Sequence, residues 1–227
     1  MQGLMQQTPL TMVHIFERAE KYHSEKTITT ATATGIERTT YGEWAARTRQ
    51  LGGVLNKLGI SKNGRVATFA WNSARHLELY FAPPCTGRVT HTLNIRLFPE
   101  QLTYIVNHAE DEVIFIDRSL FALIAPLLPT FTTVKHLVIM DDGKGDVPKS
   151  VDGYQMHDYE ELLKGTPGVE FNITDENLAS SMCYTSGTTG NPKGVLYSHR
   201  STYLHTFGAM TVDSLGARES DTILPVV

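Results

Sequence analysis

One short stretch of this 227-residue chain combines glycines, hydroxyl side chains and a lysine in a spacing suited to binding phosphate. Residues 184–194 have the sequence YTSGTTGNPKG. Its glycines allow positive φ and a close approach of the backbone to a ligand, its serine and threonines add hydroxyl donors, and Lys193 supplies a point charge. The stretch therefore predicts a loop that binds phosphate groups.

This loop differs from the Walker A motif, in which a glycine precedes the lysine and a serine or threonine follows it. Pro192 and Gly194 occupy those two positions here. The flanking residues 178–184 and 194–197 favour two strands, so we expect the loop to lie at the tip of a β-hairpin. The alternative is an ordinary surface turn, because Gly, Ser, Thr, Asn and Pro are also the commonest turn residues.

The composition restricts the class of protein. With 227 residues and 41% apolar content, the chain can form one large or two small domains. A net charge of -4 argues against nucleic acid or an anionic membrane as the main partner. Cys85 and Cys183 are too few for a disulfide framework and favour a reduced, cytoplasmic compartment. We find neither a signal-peptide pattern nor an apolar run long enough to be a transmembrane segment.

The elements that must position the loop alternate between strand and helix patterns. A first helix is predicted to start at Thr8-Pro9, a hairpin spans residues 26–40, and a capping box at 40–43 starts a helix that ends before Gly59. Further strands are predicted at 66–71, 91–94, 113–117 and 134–140, and further helices at 74–81, 99–108, 119–128, 158–164 and 200–210. This alternation predicts an α/β fold with a mostly parallel sheet flanked by helices.

The segment 82–90 departs from that pattern. Pro83 and Pro84 are expected to end the preceding helix, and Arg88 and Thr90 carry polar groups into what should be a buried strand. Two interpretations remain open at this stage. Either the strand lies at an edge of the sheet, or the segment carries damaging substitutions.

The loop closely resembles the signature loop of the adenylate-forming, AMP-binding superfamily of acyl-CoA synthetases, luciferases and peptide-synthetase adenylation domains. Other segments resemble the medium- and long-chain fatty acyl-CoA synthetase branch. They are WNS at 71–73, RHLE at 75–78, NIRLFPEQ at 94–101, VNHAED at 106–111 and VLYSHRS at 195–201. The resemblance runs from about Thr11 to the last residue.

This resemblance implies a ligase that uses ATP, Mg²⁺ and coenzyme A. A fatty acid attacks ATP to give an acyl-adenylate and pyrophosphate, and the CoA thiol then takes the acyl group. By analogy the β- and γ-phosphates are held by Thr185, Ser186, Gly187, Thr188, Thr189, Gly190 and Lys193. Thr185 is in addition the expected Mg²⁺ ligand or its water-bridged neighbour.

Other reactive side chains carry less information. His199 has two interpretations: it lines the site, or it caps or bridges the helix that follows. Cys183 is expected to be a small buried apolar residue rather than a nucleophile. The histidines and carboxylates show no metal-ligand spacing.

The resemblance also implies that further motifs of the superfamily follow Val227, including the Tyr-Gly-x-Thr-Glu motif and a C-terminal domain with a catalytic lysine. We therefore expect residues 1–227 to form an N-terminal part of the AMP-binding domain, inactive alone, with catalytic residues beyond Val227. The apolar residues 223–227 are further expected to expose apolar surface and so to favour aggregation.

Two alternatives to a fatty acid ligase stay open. One is a non-catalytic remnant that binds nucleotide or phosphate, and the other is an adenylating enzyme for an aryl or other carboxylic acid. The expected partners are fatty acid, ATP and CoA, with a homodimer by family analogy only. Lipid substrates leave peripheral membrane contact open, although no basic amphipathic helix argues for it.

Overall fold

The computed structural model describes residues 1, 3–185 and 191–225. Its strands are β1 (Thr27–Thr32), β2 (Gly35–Thr40), β3 (Arg65–Phe69), β4 (Val89–Thr92), β5 (Asp111–Asp117), β6 (His136–Met140), β7 (Gln155–Asp158), β8 (Ala179–Thr185) and β9 (Lys193–Ser198). Its helices are α1 (Met12–Tyr22), α2 (Tyr41–Lys57), α3 (Ala74–Cys85), α4 (Pro99–Ala109), α5 (Phe121–Ile124), α6 (Tyr159–Leu163) and α7 (His199–Met210).

The main sheet has seven strands in the order β7-β6-β5-β3-β4-β8-β9. All neighbours are parallel except β8 and β9, which form an antiparallel hairpin at one edge. The strands β1 and β2 form a separate two-stranded antiparallel sheet. The predicted α/β class, with a mostly parallel sheet, is therefore confirmed.

Helices cover both faces of the main sheet, because alternate strand residues point in opposite directions. On one face Val66, Phe115 and Val138 pack against α2, α3 and α6. On the other face, the residues that precede or follow these along each strand pack against α4 and α5. Helix α1 lies outside α2, where Phe16 packs against Trp44 with ring centroids 5.1 Å apart.

The best-defined local signal in the sequence is the start of α2. The Thr40 hydroxyl accepts a hydrogen bond from the Glu43 N–H at 3.1 Å, and the Glu43 carboxylate accepts one from the Thr40 N–H at 2.8 Å. These two bonds satisfy two of the N–H groups that the start of a helix leaves without an intrahelical partner. The predicted capping box is confirmed.

Several element boundaries differ from the prediction. Helix α1 begins at Met12 rather than at Thr8-Pro9, because the backbone of Thr11 is extended, with φ -110° and ψ 155°. The Leu10 N–H is bound by the Glu176 carboxylate at 2.7 Å. The predicted helix 119–128 is the short α5 between 3₁₀ turns at Arg118–Leu120 and Ala125–Thr130, since the prolines of that second turn lack the N–H that an α-helix needs. Strand β7 was not predicted.

Helix α3 corrects the expectation that Pro83 and Pro84 end it. The helix continues to Cys85 with both prolines inside its last turn. Pro83 has no N–H for the Leu79 carbonyl, one turn earlier. The Thr90 hydroxyl donates to that carbonyl instead, at 2.9 Å, so the hydroxyl replaces the bond that the proline cannot make.

Strand β4 lies between β3 and β8, so the edge-strand interpretation is wrong. Arg88 is buried just before it and donates through Nε and Nη2 to the Ile60 carbonyl at 3.0 and 2.8 Å. Nη2 also donates to Asn56 Oδ1 at 2.9 Å. Burial lowers the pKa of Arg88, yet these bonds offset much of the cost of placing a guanidinium in the interior.

No helix in the described ranges is long and apolar enough to cross a lipid bilayer.

Candidate functional site

The hairpin of β8 and β9 carries the predicted phosphate-binding loop. Its strands pair so that Thr185 lies opposite Lys193, and both residues are exposed. The Thr185 hydroxyl and the Lys193 side chain, which flank the loop on its two sides, therefore lie at the same end of one hairpin. Five of the predicted residues lie outside the described residues: Ser186, Gly187, Thr188, Thr189 and Gly190.

This end of the hairpin lies at the side of the main sheet where the parallel strands end. Strand β8 runs parallel to β4, so Thr185 lies on the side where the parallel strands have their carboxyl ends. Open α/β sheets bind ligands outside that edge. The Lys193 side chain forms no ion pair or hydrogen bond with any other residue of the described ranges.

Tyr184 and Gly194 face each other on adjacent strands beside the loop. A Cβ atom added to Gly194 would lie 3.1 Å from Cζ of the Tyr184 ring. That distance is closer than ordinary van der Waals contact. A side chain at position 194 would therefore press on the aromatic ring, which would have to shift by a few tenths of an ångström.

The Tyr184 side chain also contacts the body of the domain. Its hydroxyl lies 2.7 Å from Nδ1 of His108 on α4, and its ring centroid lies 5.3 Å from that of His91 on β4. Burial raises the pKa of Tyr184 to about 12. The phenol is therefore neutral at physiological pH and can donate a hydrogen bond.

His91 is held by a buried carboxylate. Its Nδ1 lies 2.9 Å from both oxygens of Asp111, and neither side chain is exposed. Burial raises the pKa of Asp111, and the neighbouring His91 opposes that rise. The pair fixes the orientation of the His91 ring under the hairpin.

His199 and Cys183 do not join the candidate site. The His199 ring is buried at the start of α7, where Nδ1 accepts a hydrogen bond from the Met12 N–H at 3.2 Å. His199 is thus the first residue of α7 and connects it to α1, a contact that neither sequence interpretation named. Cys183 is half-buried rather than buried, and its Sγ lies 3.8 Å from the Tyr197 hydroxyl.

The structure has a crevice that was not predicted, at the side of the main sheet where the parallel strands have their carboxyl ends. It has a volume of about 540 Å³ and lies at the carboxyl ends of β3 and β5, under the β1–β2 hairpin. Asp117 accepts a hydrogen bond from the Trp71 N–H at 2.6 Å, and the Trp71 indole donates to Ser119 at 3.0 Å. Burial raises the pKa of Asp117 to about 7. Trp71 belongs to a segment that the sequence comparison singled out, but only the strand order brings it next to Asp117 and Ser119.

The residues of the described ranges contain no group of three or more His, Cys, Asp or Glu side chains suited to a metal ion. Thr185 offers one exposed hydroxyl oxygen. Mg²⁺ commonly takes few protein ligands and completes its shell with water and substrate phosphates. A single hydroxyl is therefore compatible with Mg²⁺ only when a phosphate ligand is bound beside it.

The sequence of this chain was compared with protein families and with curated proteins. The family model described as AMP-binding enzyme matches residues 15–227. The 3-methylmercaptopropionyl-CoA ligase of Ruegeria lacuscaerulensis is 45% identical over 229 residues, which cover 100% of this chain and 42% of that protein. The medium-chain-fatty-acid–CoA ligase of Ectopseudomonas oleovorans is 42% identical over 229 residues, with the same coverage of 100% and 42%. The chain thus spans about two fifths of the length of these curated relatives.

Solved structures support the fold. The anthranilate CoA ligase AuaEII in complex with anthranoyl-AMP superposes with a TM-score of 0.74 at 23% sequence identity. The match covers 86% of this chain and 36% of that one. At this level of identity the likeness concerns the fold alone.

Proposed function

This chain belongs to the AMP-binding enzyme family, and from that premise we propose that it supplies the N-terminal, phosphate-binding part of a fatty acid–CoA ligase. The observation that carries the proposal is the pairing of Thr185 with Lys193 at the exposed end of the hairpin, on either side of the signature loop. The 45% and 42% identical relatives are both named as ligases of aliphatic acids with CoA. They support an aliphatic rather than an aryl acid.

The reaction has two steps in this proposal. The carboxylate of the acid attacks the α-phosphate of ATP and releases pyrophosphate, and the CoA thiol then displaces AMP from the acyl-adenylate. Negative charge accumulates on the leaving pyrophosphate in the first step. Donors that are fixed before the reaction stabilise this charge without reorganising.

Each residue of the loop has a role in that step. Lys193 contributes its positive charge to the β- and γ-phosphates, and Thr185 contributes its hydroxyl. Mg²⁺, when bound with ATP, neutralises phosphate charge, and Thr185 is the residue that would contact it or its water. We assign to Ser186, Gly187, Thr188, Thr189 and Gly190 the remaining contacts to the phosphates.

The test is the exchange of labelled pyrophosphate into ATP, which reports the first step alone. It is made with the longest natural chain that carries this sequence, with 3-methylmercaptopropionate, a medium-chain fatty acid or benzoate as the acid. We expect exchange with the aliphatic acids and little with benzoate. Lys193→Ala is expected to lower the exchange rate about a hundredfold, and Lys193→Arg is expected to restore part of it.

The matched control is Lys164→Ala, which removes an exposed lysine that forms an ion pair with Glu161. It should leave exchange unchanged. Full exchange by Lys193→Ala would contradict the phosphate role of the lysine. Absence of exchange with every acid would contradict the ligase itself and favour a chain that binds phosphate without catalysis.

A further inference from the structure

Strand β8 extends beyond its support in the sheet. Its ladder with β4 consists of Thr90 opposite Ser181 and His91 opposite Met182, and it stops there. Thr185 lies three residues further along the strand. On its other side β8 has only β9, which is the edge strand of the sheet. The end of the hairpin that carries Thr185 and Lys193 is therefore a projection, held to the domain by side chains rather than by the backbone ladder.

Tyr184 lies in that projection, and its side chain points back to the domain. It is two residues beyond Met182, so it shares a face with Met182 and follows the His91 register position. Its contacts come from two layers of the fold. One is the His91 ring on β4, which the buried Asp111 fixes, and the other is His108 on α4.

The contact on α4 is itself held in place. The His108 ring stacks on Tyr104, one turn earlier, with centroids 5.2 Å apart and an interplanar angle of 22°. The hydroxyl of Tyr184 therefore meets an exposed histidine ring that Tyr104 supports on one side. Across the hairpin the Tyr184 ring lies over Gly194, the residue next to Lys193.

We propose that Tyr184 is a positioning residue, which holds the projecting end of the hairpin against α4 and β4 and so sets where Lys193 meets the phosphates of ATP. This inference rests on the proposed function for its effect on the reaction. Its structural part, the anchoring of the hairpin, does not depend on catalysis. A slip of this pairing by one residue would turn every side chain of β9 to the other face.

The first experiment compares kcat and KM in pyrophosphate exchange by the longest natural chain that carries this sequence. Tyr184→Phe keeps the ring and loses the bond to His108, and His108→Phe removes the same bond from the other side. Each is expected to raise the KM for ATP about three- to tenfold, and the double variant is expected to do no more than either single one. Tyr184→Ala, which also removes the ring, is expected to raise KM more than Tyr184→Phe.

A purely structural role predicts a different result. Variants that merely unfold a fraction of the molecules lower the apparent kcat and leave the KM of the folded remainder unchanged. Tyr197→Phe is the control, because this tyrosine lies on β9 and, among the described residues, its hydroxyl bonds to the Cys183 thiol alone, at 3.8 Å. Unchanged KM in Tyr184→Ala, or additive effects of Tyr184→Phe and His108→Phe, would overturn the proposal.

The second experiment separates this inference from the proposed function. Amide hydrogen exchange of the β9 residues whose N–H groups bond to β8 reports opening of the hairpin without any turnover. We expect Tyr184→Ala to accelerate it about tenfold or more while α2 is unaffected, whether or not the protein adenylates an acid. Wild-type exchange rates at these β9 amides in Tyr184→Ala would exclude the anchoring role even in an active ligase.

Discussion

At the scale of single residues, Asp117 is the group whose environment has the clearest measurable consequence. It is 2% exposed, and burial raises its pKa to about 7, with the nearby Asp142 carboxylate acting in the same direction. In an unfolded chain the pKa of an aspartate is about 3.9. The folded protein therefore keeps this proton over a range of pH in which the unfolded chain has lost it.

The free energy of unfolding should consequently fall as pH rises from about 4 to about 7, by at most about 1.4 kcal/mol per pH unit from this group. Asp117→Asn keeps an oxygen for the Trp71 N–H and cannot ionise. This variant should lose the part of the pH dependence of the unfolding free energy that Asp117 contributes. It should also be more stable than the wild type above about pH 7. Urea unfolding at several pH values measures both effects.

The control is Asp152→Asn, which changes an exposed aspartate and should keep the wild-type slope. Identical pH dependence in Asp117→Asn and the wild type would contradict the raised pKa.

The residues of the candidate site differ in how far the sequence could reveal them. Thr185 and Lys193 were predictable because the glycine-rich loop between two strand patterns requires a hairpin. Asp117 and Tyr184 were not, since their roles depend on Trp71, His91 and His108, which are distant in sequence and meet them only after the strands have been ordered.

At the scale of elements, the end of α3 offers a direct test of how a helix accommodates prolines. Thr90→Val removes the hydroxyl that donates to the Leu79 carbonyl. Because Pro83 has no N–H, this buried carbonyl would then lack a partner, at a cost of about 1–3 kcal/mol in the free energy of unfolding. In the background of Pro83→Ala the new N–H can take over, so Thr90→Val should cost much less there.

Pro84→Ala is the matched control for this double-mutant cycle. It frees an N–H that points to the next carbonyl of the helix rather than to Leu79, and it should leave the cost of Thr90→Val unchanged. Equal costs of Thr90→Val in the wild-type and Pro83→Ala backgrounds would mean that the hydroxyl does not replace the helical bond.

The existence of most elements could be predicted, whereas several of their ends could not. The α2 start was predictable because the capping box is local, within residues 40–43. The end of α3 was not, because a rule about proline could not anticipate a hydroxyl from the following strand. Strand β7 escaped prediction because its four residues, QMHD, lack an apolar pattern and are ordered by pairing with β6.

At the scale of the whole molecule, the central strands of the main sheet and its hairpin edge differ in how completely other elements bury their apolar side chains. The faces of β3, β5 and β6 are enclosed by helices on both sides. Helix α7 and strand β9, at the hairpin edge, instead expose large apolar side chains, among them Leu196, Leu204 and Phe207. Leu204 and Phe207 are three residues apart and so share one face of α7.

Exposed apolar groups of this kind favour association, so we expect residues 1–227 alone to self-associate as their concentration rises. The double variant Leu204→Lys with Phe207→Glu keeps the net charge and should shift the association to higher concentration, as measured by sedimentation velocity. The matched control, Ile36→Lys with Leu123→Glu, replaces apolar residues that are exposed elsewhere and should behave as the wild type. Equal effects of the two pairs would show that general surface apolarity, rather than the face of α7, drives the association.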